Sequence, residues 1–262
     1  MTLKVMGIVN VTPDSFSDGG KFLDVNAAIS HGLQLLEDGA DILDIGGEST
    51  RPGAQSVSES DELARVLPVI EGILKKRPDA IISIDTTKSE VAAQALELGA
   101  SIVNDVSAGT FDPRIMEVSA NHGAELVLMH MQGTPRTMQK SPSYEDVVEE
   151  VFGFLSARAQ AAEDAGVRRE NIILDPGIGF GKKLEHNLLL IKNLSRLSDR
   201  YQVLLGVSRK SFIGELTGQK VDKRLAGTLA TLPFAVGSRV SIVRVHDVRE
   251  TVDFLKVFEA LS

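Results

Sequence analysis

Short apolar runs of strand length alternate with longer amphipathic stretches throughout this chain, and this alternation limits its fold more than any other feature. The runs predict eight strands, at residues 4–10, 41–46, 81–85, 102–104, 125–129, 171–174, 203–206 and 241–245. The stretches between them predict helices near residues 24–38, 60–77, 88–98, 112–121, 145–165, 183–197, 223–236 and 248–260. Strands that are apolar on both faces are typical of a parallel sheet covered by helices.

Eight strand–helix units in 262 residues match the number and size of an α/β protein of the (β/α)8 or TIM-barrel type. A doubly wound open sheet is the structural alternative. No linker rich in Gly, Pro or Ser divides the sequence, so we expect residues 1–262 to form a single domain. Four glycines follow helical stretches shortly before strands, where a left-handed helix cap is expected. They are Gly39, Gly99, Gly123 and Gly166.

Composition excludes several classes of function. The chain has no cysteine, which excludes disulfides, thiolate catalysis and Cys-ligated metals, and is typical of a reducing cytoplasm. A net charge of −8 argues against a nucleic-acid partner. The apolar runs are far shorter than the ~20 residues of a membrane span. Because a strand-like pattern begins at once and no signal peptide is apparent, we expect a cytoplasmic protein with no membrane partner.

Polar side chains stand at the ends of nearly all the predicted strands, on the rim where a barrel builds its active site. One set combines carboxylate and amide acceptors with an amide donor and a cation, which suits a planar heterocycle. Its members are Asp85, Asn104, Asp175 and Lys210. A second set is rich in donors and suits an oxyanion. Its members are Asn10, Arg51, Arg244 and His246. The two sets predict a ligand with a flat polar ring and a phosphate-type tail, although a capping or salt-bridge role explains any one residue alone.

Two other features have structural interpretations. The glycine-rich residues 177–182 lack the ending of a phosphate-binding loop, and we interpret them as a tight loop that walls the pocket. His130 is interpreted as a packing residue, with Met129 beside it on the pocket wall. No spacing of His or acidic residues suggests a tightly held metal. A loosely bound Mg²⁺ carried by a phosphate tail is compatible with the sequence.

Eight motifs, spread over nearly the whole chain, resemble those of the dihydropteroate synthases. The first two read GIVNVTPDSFSDGG at residues 7–20 and DIGGESTRPG at residues 44–53. The others, in family order, are residues 83–86, 104–109, 129–135, 175–182, 208–211 and 244–247. Departures from the family pattern are few: Arg239 and Val240 replace a frequent Gly-Ala, and Lys183 stands where Thr is frequent.

The resemblance implies a TIM-barrel transferase that condenses 6-hydroxymethyl-7,8-dihydropterin pyrophosphate with 4-aminobenzoate to give dihydropteroate and pyrophosphate. It implies a pterin site of Asp85, Asn104, Met129, Asp175 and Lys210. It implies a pyrophosphate site of Asn10, Arg51, Arg244 and His246, with Mg²⁺ bound at Asn10. The implied aminobenzoate site, where sulfonamides compete, consists of Thr50, Arg51, Pro52, Phe180, Lys210 and Ser211. A homodimer is also implied.

The implied reaction proceeds by loss of pyrophosphate to leave a delocalised cation, which the neutral aromatic amine then attacks without a strong base. Catalytic roles fall to Asp85, Lys210, Arg244 and His246. The nearest alternative is a pterin-binding methyltransferase-type domain, which has no pyrophosphate to expel and no need of residues 49–53 or 244–246. A non-catalytic paralogue that binds pterin is the other alternative, although no motif is missing from this chain.

Overall fold

The eight predicted strands close into one parallel barrel, with neighbours in chain order and β1 paired with β8. This computed structural model describes residues 3–11, 20–50 and 53–261, without the side chains of residues 20–24. The strands are β1 (Lys4–Asn10), β2 (Ile42–Gly46), β3 (Ile81–Asp85), β4 (Ile102–Asp105), β5 (Glu125–Met129), β6 (Ile172–Asp175), β7 (Gln202–Gly206) and β8 (Ile242–Val245). The TIM-barrel prediction is confirmed, and each predicted strand boundary lies within one residue of the observed one.

Helices surround the barrel. They are α1 (Gly20–Glu37), α2 (Glu59–Lys76), α3 (Ser89–Glu97), α4 (Arg114–Asn121), α5 (Val147–Asp164), α6 (Leu184–Lys192), α7 (Ser195–Ser198), α8 (Ser211–Thr217), α9 (Leu225–Leu229), α10 (Leu232–Gly237) and α11 (Val248–Leu261). Within the described residues, no helix is both long and apolar enough to cross a membrane.

Two of the predicted helices are each divided in the structure. The stretch 183–197 forms α6 and α7, because the side chain of Asn193 donates to the carbonyl of Leu189 (2.9 Å) and ends α6. The stretch 223–236 forms α9 and α10, with Pro233 in the first turn of α10, where its missing N–H is tolerated. Helix α8 was not predicted.

The predicted glycine caps are confirmed. The four glycines that precede β2, β4, β5 and β6 have φ angles of 100°, 115°, 63° and 98°. This left-handed conformation suits a residue without a Cβ and turns the chain sharply from helix into strand. At Gly39, the following residue closes the turn, since the N–H of Ala40 donates to the carbonyl of Leu35 (2.9 Å). These caps set the point at which each of these strands enters the barrel.

Alternate residues of each strand point into the barrel, and they form two layers of opposite character. The lower layer, which we name the apolar floor, is buried and consists of Met6, Ile42, Ile102, Val127, Ile173, Leu204 and Ile242. Nearer the carboxyl ends of the strands comes a polar layer of Asp44, Asp85, Asn104, Asp175 and Arg244. Because inward positions recur every two residues, four of these polar residues lie directly above floor residues of their own strands. The floor thus supports a polar site at the barrel mouth.

Candidate active site

Arg244 crosses the polar layer and joins three strands. From β8, its Nε donates to Asp44 Oδ2 (2.5 Å) on β2, and its Nη2 donates to Asp85 Oδ2 (2.8 Å) on β3. The prediction placed Arg244 with the oxyanion-binding residues, whereas the structure places it against a carboxylate of the ring-binding set. Buried carboxylates need a nearby cation, and only a long side chain reaches them across the barrel. Its contact with a pyrophosphate stays a prediction.

Asp44 is a site residue that the sequence analysis missed. It is fully buried, and its Oδ2 also accepts a hydrogen bond from Asn104 Nδ2 (3.1 Å). Its Oδ1 has no hydrogen-bond partner among the described residues, and neither has the Oγ of Ser83, its register neighbour on β3. One sequence feature could have identified Asp44. It follows Ile42 by two positions in an otherwise apolar strand, and residues two apart on a strand face the same side. An acid there must face the barrel interior.

Burial perturbs the protonation of the two predicted ring-binding carboxylates. Desolvation, assisted by the negative charge of Asp44, raises the pKa of Asp85 to about 8 against the opposing charge of Arg244. Burial likewise raises the pKa of Asp175, opposed by the charge of Lys210 and a hydrogen bond from the Gly177 backbone. The ionised forms are therefore costly without a ligand, and an added positive charge would favour them.

Asp175 and Lys210 come together over Gly206 at the end of β7. An added Cβ on Gly206 would lie 3.7 Å from both Asp175 Oδ2 and Lys210 Nζ. The Gly177 N–H donates to Asp175 Oδ1 (2.7 Å) and fixes that carboxylate. Burial lowers the pKa of Lys210 to about 8, although the charge of Asp175 opposes this shift. These two predicted residues therefore approach the same point at the mouth, and the charge of each affects the pKa of the other.

The Lys210 ammonium also reaches the glycine-rich loop. Its Nζ donates to the carbonyl of Ile178 and lies 4.7 Å from the centre of the Phe180 ring. Tyr144 Oη donates to the carbonyl of Gly181 (2.8 Å), so backbone groups of the loop are engaged by the protein itself. The tight loop is confirmed by the positive φ angles of Gly177, Gly179 and Gly181, whereas its role as a wall of the pocket stays a prediction. At Gly177, a Cβ would lie 1.9 Å from the carbonyl oxygen of His130, which leaves room for no side chain.

Behind this loop, His130 has the packing role that was predicted. It is buried, and the Phe154 ring meets it edge-on with centroids 5.0 Å apart. Lys182, a residue that the sequence analysis missed, places its Nζ 2.9 Å from His130 Nδ1 and donates to the Phe180 carbonyl (2.9 Å). Desolvation and the charge of Lys182 lower the pKa of His130 to about 3. The neutral imidazole thus accepts a hydrogen bond and links the loops after β5 and β6.

His246 follows β8 and is tied to the loop after β7. Its backbone N–H donates to Ser208 Oγ (3.1 Å), and its Nδ1 shares a hydrogen bond with the same hydroxyl (3.0 Å). Beside it, Arg209 forms a two-pronged ion pair with Asp247, including a contact of 2.9 Å from Nε to Oδ2. Ser211 begins α8 nearby and is exposed. The predicted residues after β7 and β8 therefore belong to one connected rim.

Register brings further predicted residues to one level. Asn10 pairs with Gly46, Gly46 with Asp85, and Asp85 with Asn104, across four neighbouring strands. On the far side of the barrel, Met129 pairs with Asp175 on the adjoining strand. These predicted residues are therefore register partners, directly or through Gly46, near the carboxyl ends of their strands.

A cavity of about 440 Å³ opens beside these strands. Thr50 lines it together with Asp85 and Val106, so one residue of the predicted aminobenzoate set shares a cavity with one of the pterin set. Arg51 and Pro52 lie outside the described residues, as does the loop at residues 12–19. In the part of the chain that the structure describes, no group of three His, Cys, Asp or Glu residues is arranged to hold a metal ion.

Comparison with known proteins agrees with this geometry. The family model described as "Pterin binding enzyme" matches residues 6–246. The dihydropteroate synthase of Synechocystis is 49% identical over 98% of this chain and 89% of its own length. The structure of Xanthomonas albilineans dihydropteroate synthase with 4-aminobenzoic acid has a TM-score of 0.92 and 48% identity, covering 99% of this chain and 93% of that one. Yersinia pestis dihydropteroate synthase in complex with a sulfonamide drug also has a TM-score of 0.92, with 43% identity and coverage of 99% and 94%.

Proposed function

The chain belongs to the pterin-binding enzymes and, among them, to the dihydropteroate synthases, and from this membership we propose how its barrel mouth works. It is a transferase that joins 6-hydroxymethyl-7,8-dihydropterin pyrophosphate to 4-aminobenzoate, giving dihydropteroate and pyrophosphate. The observation that carries the site assignment is the polar layer, in which carboxylates, an amide and two nearby cations stand over an apolar floor. A methyltransferase would have no use for a pyrophosphate-binding rim.

The pterin ring lies flat against the polar layer, between β3, β4 and β6. Asp175 accepts hydrogen bonds from ring N–H groups, because its carboxylate is already oriented by Gly177. Asn104 offers both a donor and an acceptor, and Lys210 donates to the ring carbonyl. Met129, buried beside Asp175, supplies an apolar wall. The burial of these groups and their register on adjacent strands support this assignment.

The polar layer also suits the charge that develops during the reaction. The C–O bond to pyrophosphate breaks first, and the electron-rich ring retains a positive charge spread to the exocyclic methylene. A neighbouring cation lowers the pKa of an acid, so Asp85 gives up its proton more readily as this charge forms. The ionised carboxylate of Asp85 then offsets the positive charge of the ring.

The amine of 4-aminobenzoate completes the transfer. It is neutral at pH 7 and attacks the methylene carbon, forming the new C–N bond; the amine then releases a proton to solvent. Its ring lies between the loop after β2 and the loop after β6. The contact of Lys210 with Phe180 supports this position on one side, and Thr50 on the cavity wall supports it on the other. Arg51, Pro52 and Ser211 complete the proposed subsite.

The departing pyrophosphate is held at the rim by Asn10, Arg51, Arg244 and His246. The two ion-pair contacts of Arg244 use two of the five N–H donors of a guanidinium, which leaves donors for an anion. The link between His246 and Ser208 orients the imidazole. Donors preorganised around the leaving group stabilise its charge without rearrangement.

We propose Asn10 as the protein ligand of a Mg²⁺ ion. Its half-buried amide oxygen is a hard donor at the rim, and Mg²⁺ is commonly bound by one or two protein oxygens plus phosphate and water. A single amide oxygen would supply only one ligand, so such an ion would be held mainly by oxygens of the pyrophosphate and of water. When bound, Mg²⁺ neutralises the leaving anion.

Three further assignments are proposals about the whole protein. The closed barrel includes all eight strands, which supports a single domain over residues 1–262. Exposed apolar residues on neighbouring helices support a homodimer: Leu189 on α6, Leu216 on α8 and Phe234 on α10. Sedimentation at micromolar concentration tests the dimer. The absence of cysteine supports a cytoplasmic location.

A coupled assay for pyrophosphate release tests the proposed function. Release should require the dihydropterin pyrophosphate, 4-aminobenzoate and Mg²⁺ together, and dihydropteroate should form in equal amount. Release without aminobenzoate would instead indicate a pyrophosphohydrolase. No release with all three components would exclude the synthase reaction.

A further inference from the structure

A partly buried charge network lies on the wall of the cavity that Asp85 also lines. Lys88 Nζ donates to Glu48 Oε2 (2.5 Å) and to Glu62 Oε2. Glu62, on α2, is fully buried, and its Oε1 has no hydrogen-bond partner among the described residues. All three side chains line the 440 Å³ cavity. We name this network the Glu48–Lys88–Glu62 tie.

One end of the tie is rigidly attached to the barrel. Lys88 lies three residues after Asp85, where its N–H donates to Thr86 Oγ1 (3.2 Å) and its carbonyl accepts from Ala92 (3.0 Å) as α3 begins. The N–H of Thr86 in turn donates to the carbonyl of Asn104 (3.1 Å). The backbone of Lys88 is therefore held by the two strands that carry Asp85 and Asn104.

The other end of the tie lies on the loop after β2. Glu48 precedes Thr50 by two residues, and the backbone before it is fixed because Arg65 Nη1 donates to the carbonyl of Gly47 (2.8 Å). An added Cβ on Gly47 would lie 2.9 Å from Val66 Cγ1, so the chain packs tightly at this point. Further along the loop, the Gly53 N–H donates to the Pro135 carbonyl (3.3 Å). Glu48 is thus a side-chain anchor two residues before Thr50.

From this placement we propose that Lys88 and Glu62 are positioning residues for the aminobenzoate subsite. They hold Glu48, and through it they aim Thr50 at the barrel mouth, linking the loop to the strand that carries Asp85. The proposal rests on the proposed function, because it takes Thr50 as a contact of aminobenzoate.

The chemistry of the tie fits positioning better than stabilisation. A buried ion pair adds little stability over an apolar replacement of similar volume, but its hydrogen bonds fix direction. Burial alone would lower the pKa of Lys88, yet the hydrogen bonds that it donates to both carboxylates raise its pKa above the ordinary value. The ammonium therefore stays charged and keeps both carboxylates in place.

Glu48→Ala tests the proposal, since the Glu48 side chain is 26% exposed and its loss leaves the Lys88–Glu62 pair intact. We expect the KM for 4-aminobenzoate and the Kd of a sulfonamide to rise about 10- to 100-fold. The affinity for a pterin without pyrophosphate and the Tm should change little. Glu48→Gln, which keeps a hydrogen-bond acceptor, should recover part of the loss. Glu71→Ala, which removes an exposed carboxylate from α2, is the matched control.

Three outcomes overturn the proposal. They are an unchanged aminobenzoate KM in Glu48→Ala, an equal loss of pterin affinity, and the same change in Glu71→Ala. Lys88→Met and Lys88→Arg provide a second test. The arginine variant should preserve aminobenzoate binding, and the methionine variant should lose it. Failure of the proposed function has a different signature, because the unmodified enzyme itself would then release no pyrophosphate.

Discussion

The apolar floor and the polar layer lie one above the other on the same strands, yet they differ in what burial costs them. Each floor residue is nearly fully buried and contributes ~1.5–3 kcal/mol by leaving water. Asp44 is as deeply buried and Asp175 nearly so, and for an ionised carboxylate such burial is unfavourable unless partners compensate. The barrel therefore places stability and chemistry two residues apart along a strand.

Leu204→Ala should give the largest effect, by lowering stability while leaving substrate binding almost unchanged. It removes a fully buried floor side chain, and we expect the free energy of unfolding to fall by ~2–5 kcal/mol. Both KM values should stay within about twofold, because the cavity opens beneath the site. Urea denaturation and steady-state kinetics measure the two effects. A large rise in either KM would mean that the floor also shapes the pocket.

Arg244→Ala tests the polar layer, where we expect the larger effect on activity. On the proposed assignment the change removes donors to the leaving group, and turnover should fall about 10²- to 10³-fold. It also leaves the buried Asp44 and Asp85 without their cation, so the free energy of unfolding should fall as well. Binding of a pterin that lacks pyrophosphate should change much less, as calorimetry would show. Arg244→Lys keeps the charge and controls for it. If pterin affinity falls as far as turnover, Arg244 serves the ring or the fold instead.

Asp175→Asn tests the ring contact itself. A carboxylate accepts two ring N–H groups, whereas an amide presents a donor where an acceptor is needed, and each charge-assisted bond contributes ~1.5–3 kcal/mol. Affinity for the pterin without pyrophosphate should therefore drop about 10- to 100-fold. Stability should hold or rise, since burial disfavours the Asp175 carboxylate. Unchanged affinity, measured by calorimetry, would remove Asp175 from the pterin site.

The smallest expected effect is on the pH dependence of the free energy of unfolding. In the free enzyme the pKa of Asp85 is raised to about 8, so between about pH 4 and pH 8 the folded state keeps a proton that the unfolded chain has lost. Stability from this group is present below pH 4 and decreases as pH rises through 8. Asp85→Asn should make the slope shallower, by at most ~1.4 kcal/mol per pH unit. Denaturation at several pH values checks it, and identical slopes would contradict the assignment.

Much of this architecture was predictable because its signals are local. Strand ends, inward parity and the left-handed glycines each depend on a few consecutive residues, and the predicted strands lie within one residue of their observed positions. The division at Asn193 escaped prediction because one side-chain hydrogen bond to Leu189 ends α6, and the apolar pattern continues past it.

Contacts between residues far apart in the sequence were harder to predict. Arg244 and Asp44 are 200 residues apart, and their ion pair depends on barrel closure, which brings β8 next to β1. The role of Lys182 likewise became clear only from the structure, which places its Nζ against His130 Nδ1. Parity would have identified Asp44 as inward-facing, but its partner depends on how far a side chain reaches across the barrel.

The apolar floor also determines the route by which substrates enter and products leave. Its seven side chains fill the barrel beneath the site, so that route offers no exit. Both substrates must enter, and both products must leave, through the same mouth. Dihydropteroate therefore occupies the binding sites of both of its precursors until it dissociates. Product that accumulates should slow the next turnover by competing with the substrates for the same site.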